Sequence, residues 1–457
     1  MTKNIDILSN PKGAFFKLAT PLILLTLFHA GYTIVDMFWV SKISPEALFA
    51  VGVVAPLITL ITGFGEAIGT GTNSIISREL GENDLKGTYN SILHAIVAGI
   101  IITAIIFIST FFLKDILRFM NITTSVDLAL AYLTPMFIFS FTFLFSTLFS
   151  STLQAEGNTR TPTILLIATN VLNLILDPIL IFVLDMGISG AAYASIISAL
   201  ISVVYFIYWY LSGKSEVVLN FKYFKPGLVY EILVVAVPDF LMNVVWSIAM
   251  MYINRILIQQ LGQLGILLYS TSIKIESLMI SPQKAFGKAL VTISGQLFGA
   301  NKIDELKQMY AYSIKISVIL VLITTLVFFF IRDYVYALFS VTNAGTEIFF
   351  IALAAFIILP CQEVTTMSNK VLDGLGKSYH SLILSLITII SEIVLVTILA
   401  PILTSGSCVL VGIITAEIVL AIVYYILVRD MLKGINKMDE LIEKENMELK
   451  QFKHKNN

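Results

Sequence analysis

Long apolar runs, separated by Gly, Pro, Asn or clusters of charge, occupy the chain from residue 15 to residue 430. A helix rises about 1.5 Å per residue, so each run is long enough to cross the ~30 Å hydrocarbon core of a bilayer. The pattern predicts twelve spans, at 15–40, 47–76, 89–113, 127–153, 162–184, 188–212, 229–258, 264–290, 309–331, 345–371, 378–400 and 408–430. The polar opening, Met1 to Lys12, leads into the first span without a small-residue cleavage site, so no cleaved signal peptide is expected.

The twelve spans read as two sets of six. Pro21, in Ala-Thr-Pro, and Pro238, in Ala-Val-Pro, each open an apolar run and lie 217 residues apart. Leu80-Gly81-Glu82-Asn83 recurs 218 residues on as Phe298-Gly299-Ala300-Asn301. Leu153 to Thr159 recurs 219 residues on as Leu372 to Ser378. An almost constant offset at three landmarks argues for one duplicated unit. Six spans is an even number, so both units enter the membrane from the same side. The expected fold is therefore an all-α polytopic membrane protein, with two six-helix lobes related by a pseudo-twofold along the membrane normal. The expected units are an N-terminal lobe (1–225), a C-terminal lobe (226–432) and a charged tail (433–457). The polar stretch 212–227, with Lys214, Glu216, Lys222, Lys225 and Pro226, would join the lobes. Duplicated lobes facing a shared cavity imply a transport machine.

Composition agrees. Apolar residues make up 57% of the chain and charged ones 13%, with a mean hydropathy of +0.89. A soluble chain of 457 residues has no means of burying that much apolar surface, so lipid is the solvent. The net charge of −1 says little, but the placement of the charges says more. Lys3, Lys12, Lys17, Arg78, Lys86, Arg160, Lys214, Lys222, Lys225, Lys302, Lys307, Lys377 and a Lys-rich tail fall on one side of the membrane. Lys42, Lys114, Arg118 and Arg332 fall on the other. The positive-inside rule then puts both termini in the cytoplasm of a multi-pass plasma (inner) membrane protein. The two cysteines, Cys361 and Cys408, lie in or beside apolar runs and imply no disulfide framework.

Polar residues inside hydrocarbon are costly and mark function. Asp36 is the one acid of residues 22–40, and it shares a helical face with Thr26, His29, Tyr32 and Thr33. Span five carries a second stripe, Asn170, Asn173 and Asp177, and span six adds the hydroxyl of Ser195 among small residues. Counting helical rise, Asp36 sits roughly 9 Å inward of Lys42, Asp177 roughly 12 Å inward of Asp185, and Ser195 roughly 12 Å inward of Gly187. The three share one level. An oxygen-rich set of this kind (Asp36, Asn173, Asp177, Ser195) suits a proton or a hard monovalent cation such as Na⁺. Two acids in one site do not both stay ionised without a counter-charge, and this would couple an ion gradient to a conformational cycle. Asp36 at the interface and Asn173 merely satisfying the backbone opened by Pro178 are the plainer alternatives.

The second repeat offers Asn243, Trp246 and Asn254 on the matching face of span seven, with Asp239 beside Pro238. Glu276, Glu363, Glu392 and Glu417 are spread over spans eight, ten, eleven and twelve; Glu276 and Glu363 are candidate second-lobe acids. Gly63-Phe64-Gly65-Glu66 resembles Ala285-Phe286-Gly287-Lys288 at an offset of 222. The pseudo-twofold would bring these segments together, with Glu66 and Lys288 pairing as a cytoplasmic gate.

Taken together, several pieces resemble the multidrug and toxic compound extrusion (MATE) family, in its prokaryotic branch with the ionisable site in the N-terminal lobe. They are the opening from Pro21 to Val35-Asp36-Met37-Phe38-Trp39-Val40-Ser41, the Leu80-Gly81-x-Asn83 loop, Gln154 to Pro162, Leu172-Asn173-x-x-x-Asp177-Pro178 and Gly295-Gln296-x-x-Gly299-Ala300. The resemblance implies that Asp36, Asn173, Asp177 and Ser195 form the cation or proton site. It further implies that Tyr32 lines the drug pocket, with His29, Thr33 and Asn170 near it, and that Pro21 permits bending of the first helix. It implies antiport by alternating access, with Na⁺ or H⁺ entering as a drug-like, often cationic, amphipathic compound leaves. No cofactor and no nucleic-acid partner are expected, and a monomer in the lipid bilayer is. Another branch carries an acid in span seven, absent here at the expected place, while Glu363 matches that branch's acid in span ten.

Two other functions compete with export. A lipid-linked saccharide flippase of the wider superfamily would line its cavity with more cations than Lys274 and its few neighbours provide. An intramembrane enzyme would show a nucleophile–base pair or metal-ligand spacing, whereas His29 and His94 stand apart.

Overall fold

The computed structural model describes residues 6–119, 125–215, scattered positions from 237 to 260, 263–338, 345–403 and 407–455. Glu216, Lys222, Lys225, Pro226, Asp239, Asn243 and Asn254 lie outside the described residues, as do the side chains of Thr33 and Lys274.

The described chain is helical almost throughout. The first half holds α1 (Pro11–Ser41), α2 (Pro45–Gly81), α3 (Leu85–Ser109), α4 (Leu113–Phe119), α5 (Val126–Ile138), α6 (Ser140–Ala155), α7 (Arg160–Pro178) and α8 (Gly187–Leu211). Every described position from 237 to 260 is helical. The second half continues with α9 (Gln263–Met279), α10 (Ser281–Gly299), α11 (Ile303–Leu338), α12 (Gly345–Gly374), α13 (Ser378–Leu399) and α14 (Ser407–Lys455). Eight described helices are long and apolar enough to span a bilayer, or nine when the α5–α6 pair, bent by 49°, is counted as one.

Helix starts follow local chemistry. The side chains of Asn10, Ser44 and Asp84 accept hydrogen bonds from the backbone N–H groups of Gly13, Ala47 and Gly87 at 2.9, 3.1 and 3.0 Å. Each satisfies a donor that a helix N-terminus leaves open. The stops come from the repeat motifs. Asn83 and Asn301 take left-handed φ angles of 59° and 55°, and Gly157 and Gly376 take 82° and 72°. These residues tolerate that conformation, which ends a helix cleanly.

Two predicted spans are broken. Span four divides at Phe139, and span eight divides at Ile280 ahead of Pro282. Uniformly apolar sequence on both sides of a bend carries no periodicity to reveal it.

Each lobe packs mainly on itself: α2 on α3 and α6, and α8 on α5, α6 and α7 in the first; α12 on α11 and α14, and α13 on α14 in the second. The first helix crosses over, as do α2 and α10 where they meet. Its early half (Ala14, Phe15, Leu18, Ala19) lies in one core with Phe286, Leu290, Ile293 and Leu432 of the second lobe. Its later half brings Trp39 and Val40 into a core of α2, α5 and α8. Phe15 stacks on Phe286 with ring centres 5.0 Å apart, while Phe240, from the start of span seven, stacks on Phe64 of α2 at 4.1 Å. The opening helix of each repeat thus leans on the other lobe.

The face that carries both terminal segments is tightly joined across the lobes. Thr292 Oγ1 donates to Asn73 Oδ1 at 3.1 Å, Gln296 Nε2 to the Ala155 carbonyl at 2.8 Å, and Ser74 Oγ to the Asp373 carbonyl. Gly81 of α2 and Gly299 of α10 meet here. A Cβ on Gly81 would overlap the Gln296 carbonyl oxygen, and one on Gly299 would overlap that of Arg78. This close approach is why both copies of the repeat motif carry glycine.

Candidate functional site

The site is assembled where α1, α7 and α8 come together, α7 lying against both of the others. Asn173 and Asp177 are one turn apart on the face of α7 that is turned away from lipid, and both are fully buried, at 1% and 0% exposure. Pro178 follows directly. Its missing N–H opens the helix, which continues as a π-helical turn over Ile179–Val183, a geometry frequent at functional sites.

Asn173 joins the parts. Its Nδ2 donates to Asp177 Oδ1 at 3.5 Å and to Ser195 Oγ at 3.3 Å. The Asp36 and Asp177 carboxyls lie in side-chain contact, and the Tyr32 hydroxyl lies beside Ser195. Asp36, Tyr32, Asn173, Asp177 and Ser195 therefore form one continuous polar cluster inside the first lobe. Two carboxyls in contact hold a proton between them or are bridged by a cation.

The donor set fits a small hard cation. Asn173 Oδ1 and Asp177 Oδ2 are buried and receive no hydrogen bond. Two buried oxygens lacking donors are what a proton or Na⁺ would satisfy.

Other expected residues surround this cluster. His29 sits one turn before Tyr32 with ring centres 5.6 Å apart, and it also lies within electrostatic reach of Glu66 and Lys288. Lys288 Nζ stands 3.6 Å from Glu66 Oε1 across the lobe interface. Asn170, half-buried on α7, is not bonded to the cluster among the described residues. Pro21 lies in a continuous α1, in the stretch that packs on the second lobe, which Ile23 and Thr26 extend before the helix reaches the first-lobe site. Glu276 and Glu363 are remote from this cluster and line a cavity in the second lobe.

Sequence reasoning missed Tyr132. It is buried on α5 within electrostatic reach of Asp36, Tyr32 and Asp177. A tyrosine among Leu and Ala reads as ordinary core. Only its position against two acids sets it apart.

The chain matches the MatE family model twice, over residues 21–179 and over 238–398. It belongs to the MatE family. The two matched stretches open on Pro21 and Pro238, the prolines that open the sequence repeat. Among relatives, the MatE chain is similar to the multidrug export protein MepA of Staphylococcus aureus (strain NCTC 8325 / PS 47), 27% identical over 369 residues that cover 79% of each chain. Among solved structures it is similar to a MATE in the bent conformation (TM-score 0.88, 26% identity, 94% of this chain and 97% of that one). It is also similar to an outward-facing multidrug resistance MATE family transporter of the MOP superfamily (TM-score 0.87, 25% identity, 95% and 100%). These matches make the MatE protein a multi-pass membrane transporter and not an enzyme, and they agree with a two-lobed, twelve-helix arrangement.

Proposed function

We propose that this MatE protein is a cation-coupled antiporter of the plasma (inner) membrane, with both termini cytoplasmic. It exports drug-like, often cationic, amphipathic compounds as Na⁺ or H⁺ enters. The observation that carries the reading is the buried contact between Asp36 and Asp177, completed by Asn173 and Ser195. Such a pair binds a proton or Na⁺ in one conformation and releases it in another, because its environment changes when the lobes move.

Tyr32 and His29 connect this site to the space between the lobes. Through them, a guest at the interface is linked to the charge state of Asp36. A cationic aromatic guest competing with the ion for Asp36 supplies the coupling, at roughly 1–3 kcal/mol of carboxylate and cation–π contact. The relative MepA, named as a multidrug export protein, supports export as the direction of transport.

The charge of the second-lobe cavity counts against a flippase for a pyrophosphate-bearing lipid. Glu276, Glu347, Glu363, Glu392 and Glu417 line it, and Lys284 is the one base among the described lining residues.

Ethidium efflux from vesicles, under Na⁺ and H⁺ gradients imposed separately, tests the reading. Wild-type protein should export under at least one gradient, and Asp36→Asn should lose gradient-driven efflux. Undiminished efflux by Asp36→Asn would remove the acid pair from the mechanism.

A further inference from the structure

A groove of about 290 Å³ runs between α13 and α14 of the second lobe. Leu372, Leu384 and Val428 form its floor, which is continuous with the core of that lobe. Ile383 and Leu427, 39% and 48% exposed, form its lips. Exposed apolar side chains on two helices that span a bilayer face lipid. Lys377 and His380 stand at one end of the groove, on the face where the lobes are joined, and no acid lines it among the described residues. Positions 377, 380 and 384 share one helical face, so this wall changes from basic to apolar over roughly 10 Å.

Lys377 differs from the lysines around it. Lys288, Lys307, Lys370 and Lys433 each pair with a carboxylate, at 3.6, 3.1, 2.9 and 3.7 Å. Neither Lys377 nor His380 has a side-chain hydrogen bond or an ion pair among the described residues, and the His380 ring lies edge-on to the exposed Tyr379 at 6.5 Å. The first lobe carries Asn158 at the place of Lys377 in the repeat, and its Oδ1 accepts from the Thr161 N–H at 3.1 Å. That amide is satisfied within the chain. The ammonium in the second lobe is left to an outside anion.

We propose that this groove binds an anionic phospholipid of the leaflet on the side of the terminal segments. Its phosphate lies against Lys377 and His380, and an acyl chain runs along Leu384, Leu427 and Val428. Only the naming of that leaflet as cytoplasmic rests on the orientation proposed above. Lys377 directly follows Gly376, where a Cβ would come within 2.7 Å of the Arg78 guanidinium of the first lobe. On its other side, Ser378 Oγ donates to Asp373 Oδ1 at 2.7 Å, and the Asp373 carbonyl accepts from Ser74 Oγ of the first lobe. A lipid held at Lys377 thus steadies the loop by which the second lobe grips the first.

Phosphatidylglycerol, with phosphatidylcholine as the zwitterionic control, tests the site on purified full-length protein in detergent. In native mass spectra the wild type should retain phosphatidylglycerol about tenfold more tightly than phosphatidylcholine. Lys377→Gln combined with His380→Gln should remove that preference. Phosphatidylglycerol should also raise the wild-type melting temperature by several degrees over phosphatidylcholine, and leave the double variant unmoved. An unchanged preference, or an equal rise in both proteins, overturns the proposal. If the double variant does not fold, Leu427→Trp, at a lipid-facing position, replaces it. A phosphatidylglycerol with a diazirine in its acyl chain should label residues 383–384 and 427–431 of the wild type but not of Leu427→Trp protein. Labelling elsewhere overturns the site, as does displacement of the lipid by inorganic phosphate, which would make the ligand a soluble anion. A dimer that Leu427→Trp dissolves would assign the groove to a second copy of the chain and overturn it equally. A protein that holds phosphatidylglycerol in this way but exports no ethidium refutes the export reading and leaves the lipid site standing.

Discussion

Asn173 is the residue on which the first-lobe site turns. One amide nitrogen holds both Asp177 and Ser195, while its oxygen is buried and accepts no hydrogen bond. Asn173→Ala leaves the Asp177 carboxyl without its donor, at a cost of about 1–3 kcal/mol. Half-saturation by the coupling ion should rise by roughly 5–150-fold, measured from efflux rates against Na⁺ concentration or pH. Ser195→Ala removes one hydroxyl and leaves the Asn173–Asp177 bond in place, so its effect should be smaller, about 0.5–1.5 kcal/mol. An equal or larger loss from Ser195→Ala would show that the hydroxyl, not the amide, organises the site. Asp36, Asn173 and Asp177 were legible in the sequence because hydrocarbon makes each of them expensive. Tyr132 was not, because a phenol in an apolar helix costs little to bury when its hydroxyl finds company.

Helix α1 shows how the element serves the machine. Its early half is core for one lobe and its later half belongs to the other; Pro21 lies within the early stretch, since Ile23 and Thr26 beyond it still touch the second lobe. Proline has no N–H to bond the carbonyl four residues earlier, so the helix is weakest here, just before it leaves the second lobe for the first. Pro21→Ala should restore that bond and stiffen α1 by about 1–3 kcal/mol. The variant should melt at a higher temperature than wild type and export ethidium several-fold more slowly. A faster variant would rule out bending at this point as part of the cycle. The helix stops at Asn83, Gly157, Asn301 and Gly376 could be read from the repeat, since each needs a residue that accepts a left-handed φ. The crossing of α1 into the opposite lobe could not. Apolar faces look alike whichever lobe they cover, and only Phe15 on Phe286 and Phe240 on Phe64 disclose the exchange.

The molecule is held in a state whose terminal face is shut by packing, with an ion pair between the lobes deeper in. Gly81 and Gly299 let α2 and α10 approach to backbone contact, which is short-ranged and tolerates no added atom. Glu66 and Lys288, 63% and 48% exposed, form an ion pair at 3.6 Å, the kind of contact worth at most about 1 kcal/mol. We propose this pair as the gate the repeat suggests: a contact that opens once per cycle is weak, so packing would fix the geometry while the pair reports on closure. His29 lies within electrostatic reach of the pair and its ring is 5.6 Å from that of Tyr32, so such a gate would connect through α1 to the acid cluster. The test follows from this arrangement. Cysteines at positions 66 and 288 should cross-link readily in the resting protein, because the lobes meet there. Gly81→Ala in the same background forces a methyl against the Gln296 carbonyl and should destabilise the shut state by about 1–3 kcal/mol. Cross-linking should then slow by roughly 5–150-fold, while cysteines placed within one lobe react as before. A rate that Gly81→Ala leaves unchanged would mean that the glycine contact and the ion pair belong to separate motions, with no common gate between them.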